Sequence, residues 1–381
     1  MTDPDKPIPL RPEPVLSGKE TAHVDGKSDM KTVAGRLLTG MPCLVKDAYP
    51  TGIGVLSELK KQVFGKTKAA ADERDDHDFQ DYRTMRSDFR QASNRLLVPV
   101  EQNRIALRKS PDIGWLRELY PDVQDFLLPF PQIQGLNSSW QWFLRGVRFP
   151  VLKHEIYPWY GTYFPTRFDH LLLFDEWLGT YRGRKETAMD VGAGCGVLSF
   201  MLLEHGFRHV TATDINPSAV ITIRENARHQ GVQDRLEAHM SDLFTQLYGI
   251  GEAGGRARAK TGAETGSKSD LIVFNPPWLP AREDTGMLDR AIYYDSGLFK
   301  RFFSDTVDFL AEGGKLAVFF SNLGRTTGIE KEHPVEEELA RFKRFRKVER
   351  LQRKVAAPSR KTRRKDHRKD EWVELWVLER R

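Results

Sequence analysis

Ala188-Met-Asp-Val-Gly-Ala-Gly-Cys-Gly-Val197 decides the fold of this chain, read together with Asn275-Pro-Pro-Trp278 downstream. Apolar residues run into Asp190, glycines follow at Gly192, Gly194 and Gly196, and a helix-like run opens at Val197. That pattern predicts strand, tight turn and helix. Glycine suits such a turn because, lacking a β-carbon, it takes positive φ and lets another molecule approach the main chain. A purely structural turn would use the same residues, so the glycines alone do not settle the chemistry. A dinucleotide site would show G-x-G-x-x-G. Here the glycines alternate and Val197 stands where the third fingerprint glycine would be, which counts against a pyrophosphate ligand. Asp190, a carboxylate facing the turn, suits a ligand with an ammonium group better.

Working outward, Val210-Thr-Ala-Thr-Asp214 reads as a second strand ending in an acid, where nucleotide-type folds place the group that takes ribose hydroxyls. Ser241-Asp242 follows a short segment from Leu236 to His239, and Asp270-Leu-Ile-Val-Phe274 is an apolar strand leading into Asn275. Helices are expected from Val197 through Leu203, from Pro217 to Arg228 and from Phe299 to Leu310. Further strands are expected from Lys315 to Phe320 and from Trp372 to Leu378. Alternation of this kind implies a parallel sheet with right-handed crossovers and helices on both faces. Ligands of such sheets gather beyond the carboxyl ends of the strands, where the turn after Asp190, Asp214, Asp242 and Asn275 all fall.

The arrangement resembles the class I S-adenosylmethionine-dependent methyltransferases, in the branch with an Asn-Pro-Pro-aromatic motif. The resemblance covers about residues 160–323 and none of the N-terminal part. It implies a Rossmann-like, seven-stranded α/β sheet whose last strand is antiparallel. It also implies S-adenosylmethionine as cofactor. Asp190 and the Gly192, Gly194 and Gly196 backbone would face its amino-acid end. Asp214 would take the ribose hydroxyls, and Asp242 the adenine amine with the Leu243 amide as donor. A segment of the Tyr163-Phe-Pro-Thr166 kind closes over the cofactor in that family, which makes Thr166 a candidate contact. Thr166 is also a candidate N-cap, with Asp169 three residues on. A plain hairpin leading into a helix would read the same way.

Asn275-Pro-Pro-Trp278 points to the transferred group's destination. Proline has no backbone donor and holds the residue before it extended, so Asn275 and Pro276 keep their carbonyls free. An NH2 group on a planar system needs two acceptors, which the Asn275 side-chain oxygen and the Pro276 carbonyl can supply, with Trp278 stacking on the plane. No metal is required. The family's aromatic at this place is most often Tyr or Phe, so Trp278 leaves the acceptor open among protein glutamine, a nucleic-acid base and a small molecule. A different class of reading is a methyltransferase-like scaffold without catalysis that grips RNA. Retention of Asp190, Asp214, Asp242 and Asn275 together argues against it.

Length and composition bound the remainder. At 381 residues the chain exceeds one average domain, and a hydrophobic fraction of 39% supplies a sizeable core. A net charge of +6 permits nucleic-acid contact without requiring it. Arg341 to Lys369 is crowded with basic residues, Arg360-Lys-Thr-Arg-Arg-Lys365 among them, and reads either as a solvated face or as a phosphate-binding arm. Cys43 and Cys195 are too few for a disulfide framework or a cysteine zinc site. With no apolar run of ~20 residues and no signal-peptide core, a cytoplasmic protein without membrane partners is expected.

The N-terminal part is expected to be a disordered tail over 1–30, rich in proline and charge, then a mainly helical region over 31–145 whose role is not legible. Within it, Ser110-Pro111 reads as cap and first turn of a helix carrying Ile113, Leu116, Leu119 and Tyr120, and Trp140 and Trp142 read as core aromatics. The methyltransferase domain is expected over 146–381. Val147 to Leu152 and Ile156 to Pro165 should add short edge strands, and 249–268, rich in glycine and alanine, a mobile insertion.

Overall fold

A computed structural model describes residues 7–16, 21–65, 77–250, 256–258, 268–280, 293–295, 297–326, 332–355 and 371–381. The chain divides into two compact units, Leu10–Leu144 and Arg145–Arg381.

The N-terminal unit is mainly helical, but its helices accompany a sheet that the sequence reading did not foresee. Strands β1 (Ala22–Val24), β2 (Cys43–Val45), β3 (Leu96–Glu101), β4 (Arg104–Ile105) and β5 (Phe126–Pro129) form a five-stranded sheet. Helices α1 (Met30–Leu38), α2 (Tyr49–Phe64), α3 (His77–Ser93), α4 (Trp115–Glu118) and α5 (Phe130–Arg145) alternate with them. β1, β2 and β3 are parallel neighbours. All three residues of Cys43-Leu-Val45 are buried, so the strand shows no alternation to betray it. The expectation of a disordered tail fails where the structure describes it. Val15 bridges Leu127, Arg11 is ion-paired with Asp122 at 2.5 Å, and the Tyr120 hydroxyl donates to the Pro12 carbonyl at 2.7 Å. Ser110 caps nothing: α4 begins at Trp115 behind Gly114, although Ile113, Leu116, Leu119 and Tyr120 are buried as their spacing required. Of the two tryptophans, Trp140 packs edge-on against Trp115, whereas Trp142 is exposed.

The second unit is built on seven strands: β6 (Thr187–Val191), β7 (His209–Asp214), β8 (Leu236–Met240), β11 (Ser269–Phe274), β14 (Leu310–Ser321), β15 (Phe345–Lys354) and β16 (Trp372–Arg380). Their spatial order is β15-β16-β14-β11-β6-β7-β8. The four central and outer strands β11, β6, β7 and β8 run parallel with β14, and β16 alone is antiparallel to its neighbours. This is the expected sheet with its antiparallel last strand. All six residues of β11 are buried, as a strand covered on both faces demands. Two small ladders, β9 (Tyr248–Ile250) with β10 (Arg256–Arg258) and β12 (Leu279–Pro280) with β13 (Tyr293–Tyr294), lie outside the sheet. Apart from Tyr248 to Ile250, Arg256 to Arg258 and Lys268, the glycine-rich insertion falls outside the described residues.

Crossover helices cover the sheet: α6 (Asp169–Thr180), α7 (Val197–Glu204), α8 (Pro217–His229) and α9 (Leu298–Phe309), with short α10 (Leu323–Thr326) and α11 (Pro334–Glu337) near β14 and β15 in sequence. Seven of the residues of α7 are buried, which is why its sequence shows no polar stripe. Asn216 caps α8 by accepting from the Ser218 amide at 2.9 Å, with Pro217 at the first helical position. The expected strands over 147–165 reduce to one bridge, Val147 to Ile156, because Pro150, Pro158 and Pro165 cannot donate to a ladder.

The order of strands reverses direction between β6 and β11: the chain adds β7 and β8 on one side of β6, then crosses to β11 and β14 on the other. That is the switch point at which an open α/β sheet has a crevice at its carboxyl edge. Register brings Val191 beside both Thr213 and Phe274, so the glycine turn and Asn275 leave adjacent strand ends.

Candidate active site

The turn after β6 holds Gly192, Gly194 and Gly196 at φ of 65°, 55° and 81°. Their neighbours differ. A β-carbon at Gly196 would stand 2.8 Å from Ile223 on α8, so packing of the helix by itself calls for glycine here. One at Gly194 would stand 3.2 Å from the Tyr163 carbonyl oxygen, and one at Gly192 3.3 Å from the Phe274 ring. The segment before α6 therefore does pass over the glycine turn, and the residue that meets it is Tyr163. Thr166 lies exposed further on, and it is not the cap of α6, which starts at Asp169 behind Phe168 without a side-chain bond.

Asp190 is completely buried in β6. Its Oδ2 accepts from the Ser199 hydroxyl at 2.6 Å, while Oδ1 is a buried oxygen with no hydrogen-bond partner among the described residues. Burial pushes its carboxyl up to about 7, against the Ser199 bond and with help from nearby Asp214. Such an oxygen fits an ammonium group of a ligand, the one partner that would offset the cost of the buried anion.

Asp214 ends β7 and works within the chain as well as toward any ligand. Oδ2 accepts from the Gly194 amide at 2.7 Å and Oδ1 from the Asn216 amide at 2.8 Å. Burial raises its pKa and these backbone donors oppose the rise. Each oxygen keeps a lone pair, so the carboxylate can still accept from a pair of hydroxyls while holding the turn in shape. Asp242 lies beyond β8, with its amide donating to the Gln246 side chain at 2.8 Å and its carboxylate 4.0 Å from Arg301. Leu243 next to it has φ of 53°, a left-handed backbone that costs a branched residue energy and is characteristic of functional turns.

Sequence reasoning missed the apolar residues of this rim. Ile215, directly after Asp214, and Met240, paired with Asp214 across the strands, are exposed, as is Tyr163, whose carbonyl lies over Gly194. Large apolar side chains left in solvent around a polar crevice suit a flat ligand such as a purine. The available signal was position: Ile215 and Met240 flank the acids at the ends of β7 and β8.

Asn275 and Trp278 are half-buried and Pro276 is buried. The Asn275 Oδ1 and Trp278 Nε1 atoms are both buried without partners among the described residues. Trp278 stands edge-on to His170 of α6, with ring centres 5.7 Å apart at 89°. Burial pushes His170 down to about 4, so its imidazole is neutral beside the tryptophan. Trp278 is thus anchored by protein on one side, and packs against the same core as β6 and β11.

The basic stretch separates into two parts. On β15, Arg346 and Arg353 pair with Glu379 and Glu176 and Arg350 pairs with the buried Glu374, so these cations are engaged within the chain. Arg360 to Lys365 lies outside the described residues. Among the described residues no helix is long and apolar enough to cross a membrane. Cys43 and Cys195 are free and buried.

The strand order, the antiparallel last strand, the glycine turn and the acid at the end of β7 define the fold of the class I S-adenosylmethionine-dependent methyltransferases. Comparison with known proteins agrees. Residues 173–250 match the family model described as ribosomal protein L11 methyltransferase (PrmA). The chain is 28% identical over 146 residues to the "Putative protein N5-glutamine methyltransferase" of Methanocaldococcus jannaschii, covering 37% of this chain and 64% of that one. It is 35% identical over 98 residues to a release factor glutamine methyltransferase of Cereibacter sphaeroides, covering 26% and 29%. To a ribosomal protein L11 methyltransferase of Acinetobacter baumannii it is 38% identical over 73 residues, covering 19% and 24%. The chain therefore spans less than two thirds of each of these relatives, and the family model falls within the unit that carries the glycine turn.

Proposed function

We propose that this chain is a methyltransferase that uses S-adenosylmethionine to methylate an amide or amino nitrogen on a planar group. The observation that carries the reading is the pairing of two unsatisfied buried oxygens, Asp190 Oδ1 and Asn275 Oδ1, at the neighbouring strand ends of the switch point. A buried polar atom without a partner is costly, and a site that binds a cation at one strand end and an NH2 donor at the next would satisfy both.

S-adenosylmethionine supplies a methyl group on a positively charged sulfur. Asp190 would hold the amino-acid end, Asp214 the ribose hydroxyls and Asp242 the adenine amine, with Ile215 and Met240 against the purine face. The glycine turn, held open by Asp214, lets the ligand approach bare backbone at Gly192 and Gly194. Asn275 and the Pro276 carbonyl would accept the two hydrogens of the substrate NH2 group and so aim its lone pair. Trp278, steadied by His170, would wall the planar group. Positioning of this kind contributes on the order of 7–11 kcal/mol to a bimolecular transfer.

Two of the relatives carry glutamine methyltransferase in their names, which supports a protein glutamine amide as the first acceptor to test. A nucleic-acid base presents the same NH2 on a plane, and a small molecule does too. Purified protein incubated with methyl-labelled cofactor and fractionated cell extract decides between them. Label in acid-stable protein, recovered as methylglutamine, supports the amide reading; label in RNA or DNA moves the acceptor to a base; no label in any fraction contradicts the proposal.

A further inference from the structure

Helix α8 has two buried faces of opposite character. Val220, Ile223 and Ala227 enter the core, while Ser218, Thr222 and Asn226 are buried at a spacing that places them on one face. A buried polar stripe requires partners, and its partners are the backbone and side chains of the segment Tyr157 to Thr162. Asn226 reads both groups of one residue: Oδ1 accepts from the Tyr157 amide at 2.8 Å and Nδ2 donates to the Tyr157 carbonyl at 3.0 Å. The Thr222 hydroxyl accepts from the Trp159 amide at 2.9 Å, lies 2.9 Å from the Thr162 hydroxyl and donates to the Ser218 carbonyl at 2.8 Å. Its single proton goes to Ser218, so Thr162 is the donor to Thr222. At the head of the helix, Asn216 Nδ2 donates to the Gly161 carbonyl at 2.8 Å.

These bonds do not end at the segment. The Asn216 amide donates to Asp214, and the other oxygen of Asp214 accepts from the Gly194 amide. One residue past Thr162, the Tyr163 carbonyl lies over Gly194. A continuous hydrogen-bonded path thus runs from the polar face of α8 through the segment 157–163 to the glycine turn.

We propose that Thr222 and Asn226 are positioning residues for cofactor binding: they seat the segment 157–163 so that Tyr163 closes the glycine turn. Neither side chain touches the turn. Their effect passes through the population of the seated segment, since apparent affinity falls by the fraction of molecules in the competent state. The inference rests on the proposed use of S-adenosylmethionine at this turn, and the test separates the two.

Thr222→Val removes the hydroxyl at constant shape, and Thr222→Ser restores it; Asn226→Ala removes the second anchor independently. On the full chain, hydrogen exchange of the Tyr157 to Tyr163 peptide without cofactor is followed beside S-adenosylmethionine affinity by calorimetry. In Thr222→Val the segment exchanges about tenfold faster while β6 and β11 keep their protection, and the cofactor binds at least about fivefold more weakly, the scale of losing one or two net hydrogen bonds. Thr222→Ser returns both values to those of the parent, and Asn226→Ala repeats the valine result. Unchanged exchange in a folded Thr222→Val or Asn226→Ala protein overturns the anchoring. Faster exchange with unchanged affinity overturns the link to the cofactor. A parent protein that shows no binding at all removes the proposed function, and this inference with it.

Discussion

Asp190 and Glu374 are carboxylates buried in the same sheet, on β6 and β16, and their surroundings are opposite. Glu374 accepts from Arg350 at 2.6 Å, Gln352 at 3.0 Å and the Trp376 ring nitrogen at 2.8 Å, with His333 3.5 Å away. Burial would raise its pKa, but the bonds from Arg350 and Trp376, with His333 close by, outweigh it and bring the group down to about 2. Asp190 has the Ser199 hydroxyl on one oxygen, no partner among the described residues on the other, and an acid for a neighbour. Glu374 is paired within the chain, whereas Asp190 keeps an oxygen unpaired among the described residues, as the proposed ligand site requires. The sign of each pKa displacement follows from that difference. Glu374 contributes stability that is present above the ordinary carboxylate range and lost as pH falls toward about 2. Asp190 contributes stability below that range, lost as pH rises through about 7.

The largest effect that can break the comparison is at the paired end. Glu374→Ala should cost about 3 kcal/mol in denaturant unfolding, the low end for breaking a buried pair because Arg350 keeps access to solvent. Cofactor affinity should not change. A loss below about 1 kcal/mol would make the network an ornament of the sheet edge and dissolve the contrast.

Asn275→Ala comes next, with its effect confined to chemistry. Turnover on the identified substrate should fall by ~100-fold or more, while cofactor affinity stays within about twofold, because the side chain positions the acceptor nitrogen. Parental turnover would reduce Asn-Pro-Pro-Trp to a strand terminator.

Asp214→Ala should weaken cofactor binding by ~1.5–3 kcal/mol through loss of bonds to a charged acceptor. Since Asp214 also holds the Gly194 and Asn216 amides, exchange of the glycine turn should quicken in the same protein. Unchanged affinity in a folded variant would remove Asp214 from the site.

The smallest effect is the most diagnostic of the unpaired end. Asp190→Asn should raise the melting temperature of the cofactor-free protein by a few degrees at pH 8, since it removes a buried anion with no cationic partner. At pH 5, where Asp190 is protonated, the gain should vanish. A loss of stability at pH 8 would show that the carboxylate is paired after all.

The sheet was legible in the sequence because apolar segments such as Leu271 to Phe274 alternate with helical ones. Asp190, Asp214, Asp242 and Asn275 were picked out by their places near strand ends: Asp190 one residue before the end of β6, Asp214 at the end of β7, and Asp242 and Asn275 just past β8 and β11. What escaped reading was tertiary in origin. β2 of the N-terminal unit is three residues long and buried on both sides, so no period marks it. Thr166 has the right neighbours for a cap, yet α6 begins three residues later behind Phe168, whose ring stands edge-on to Phe149. The polar face of α8 looks like ordinary helix surface until the segment over it is known. Gly196 reads as a ligand glycine, and only the position of Ile223 shows that helix packing also calls for glycine there.

The central claim is that the unsatisfied carboxylate of β6 faces a cationic ligand at the glycine turn. Calorimetry of S-adenosylmethionine binding to the full chain, at pH 6 and pH 7 in two buffers of different ionisation enthalpy, tests it directly. Asp190 is protonated in much of the free protein at pH 6 and ionised beside an ammonium group, so binding should release protons and tighten as pH rises to 7. Binding without proton release, or no binding at either pH, would contradict the account.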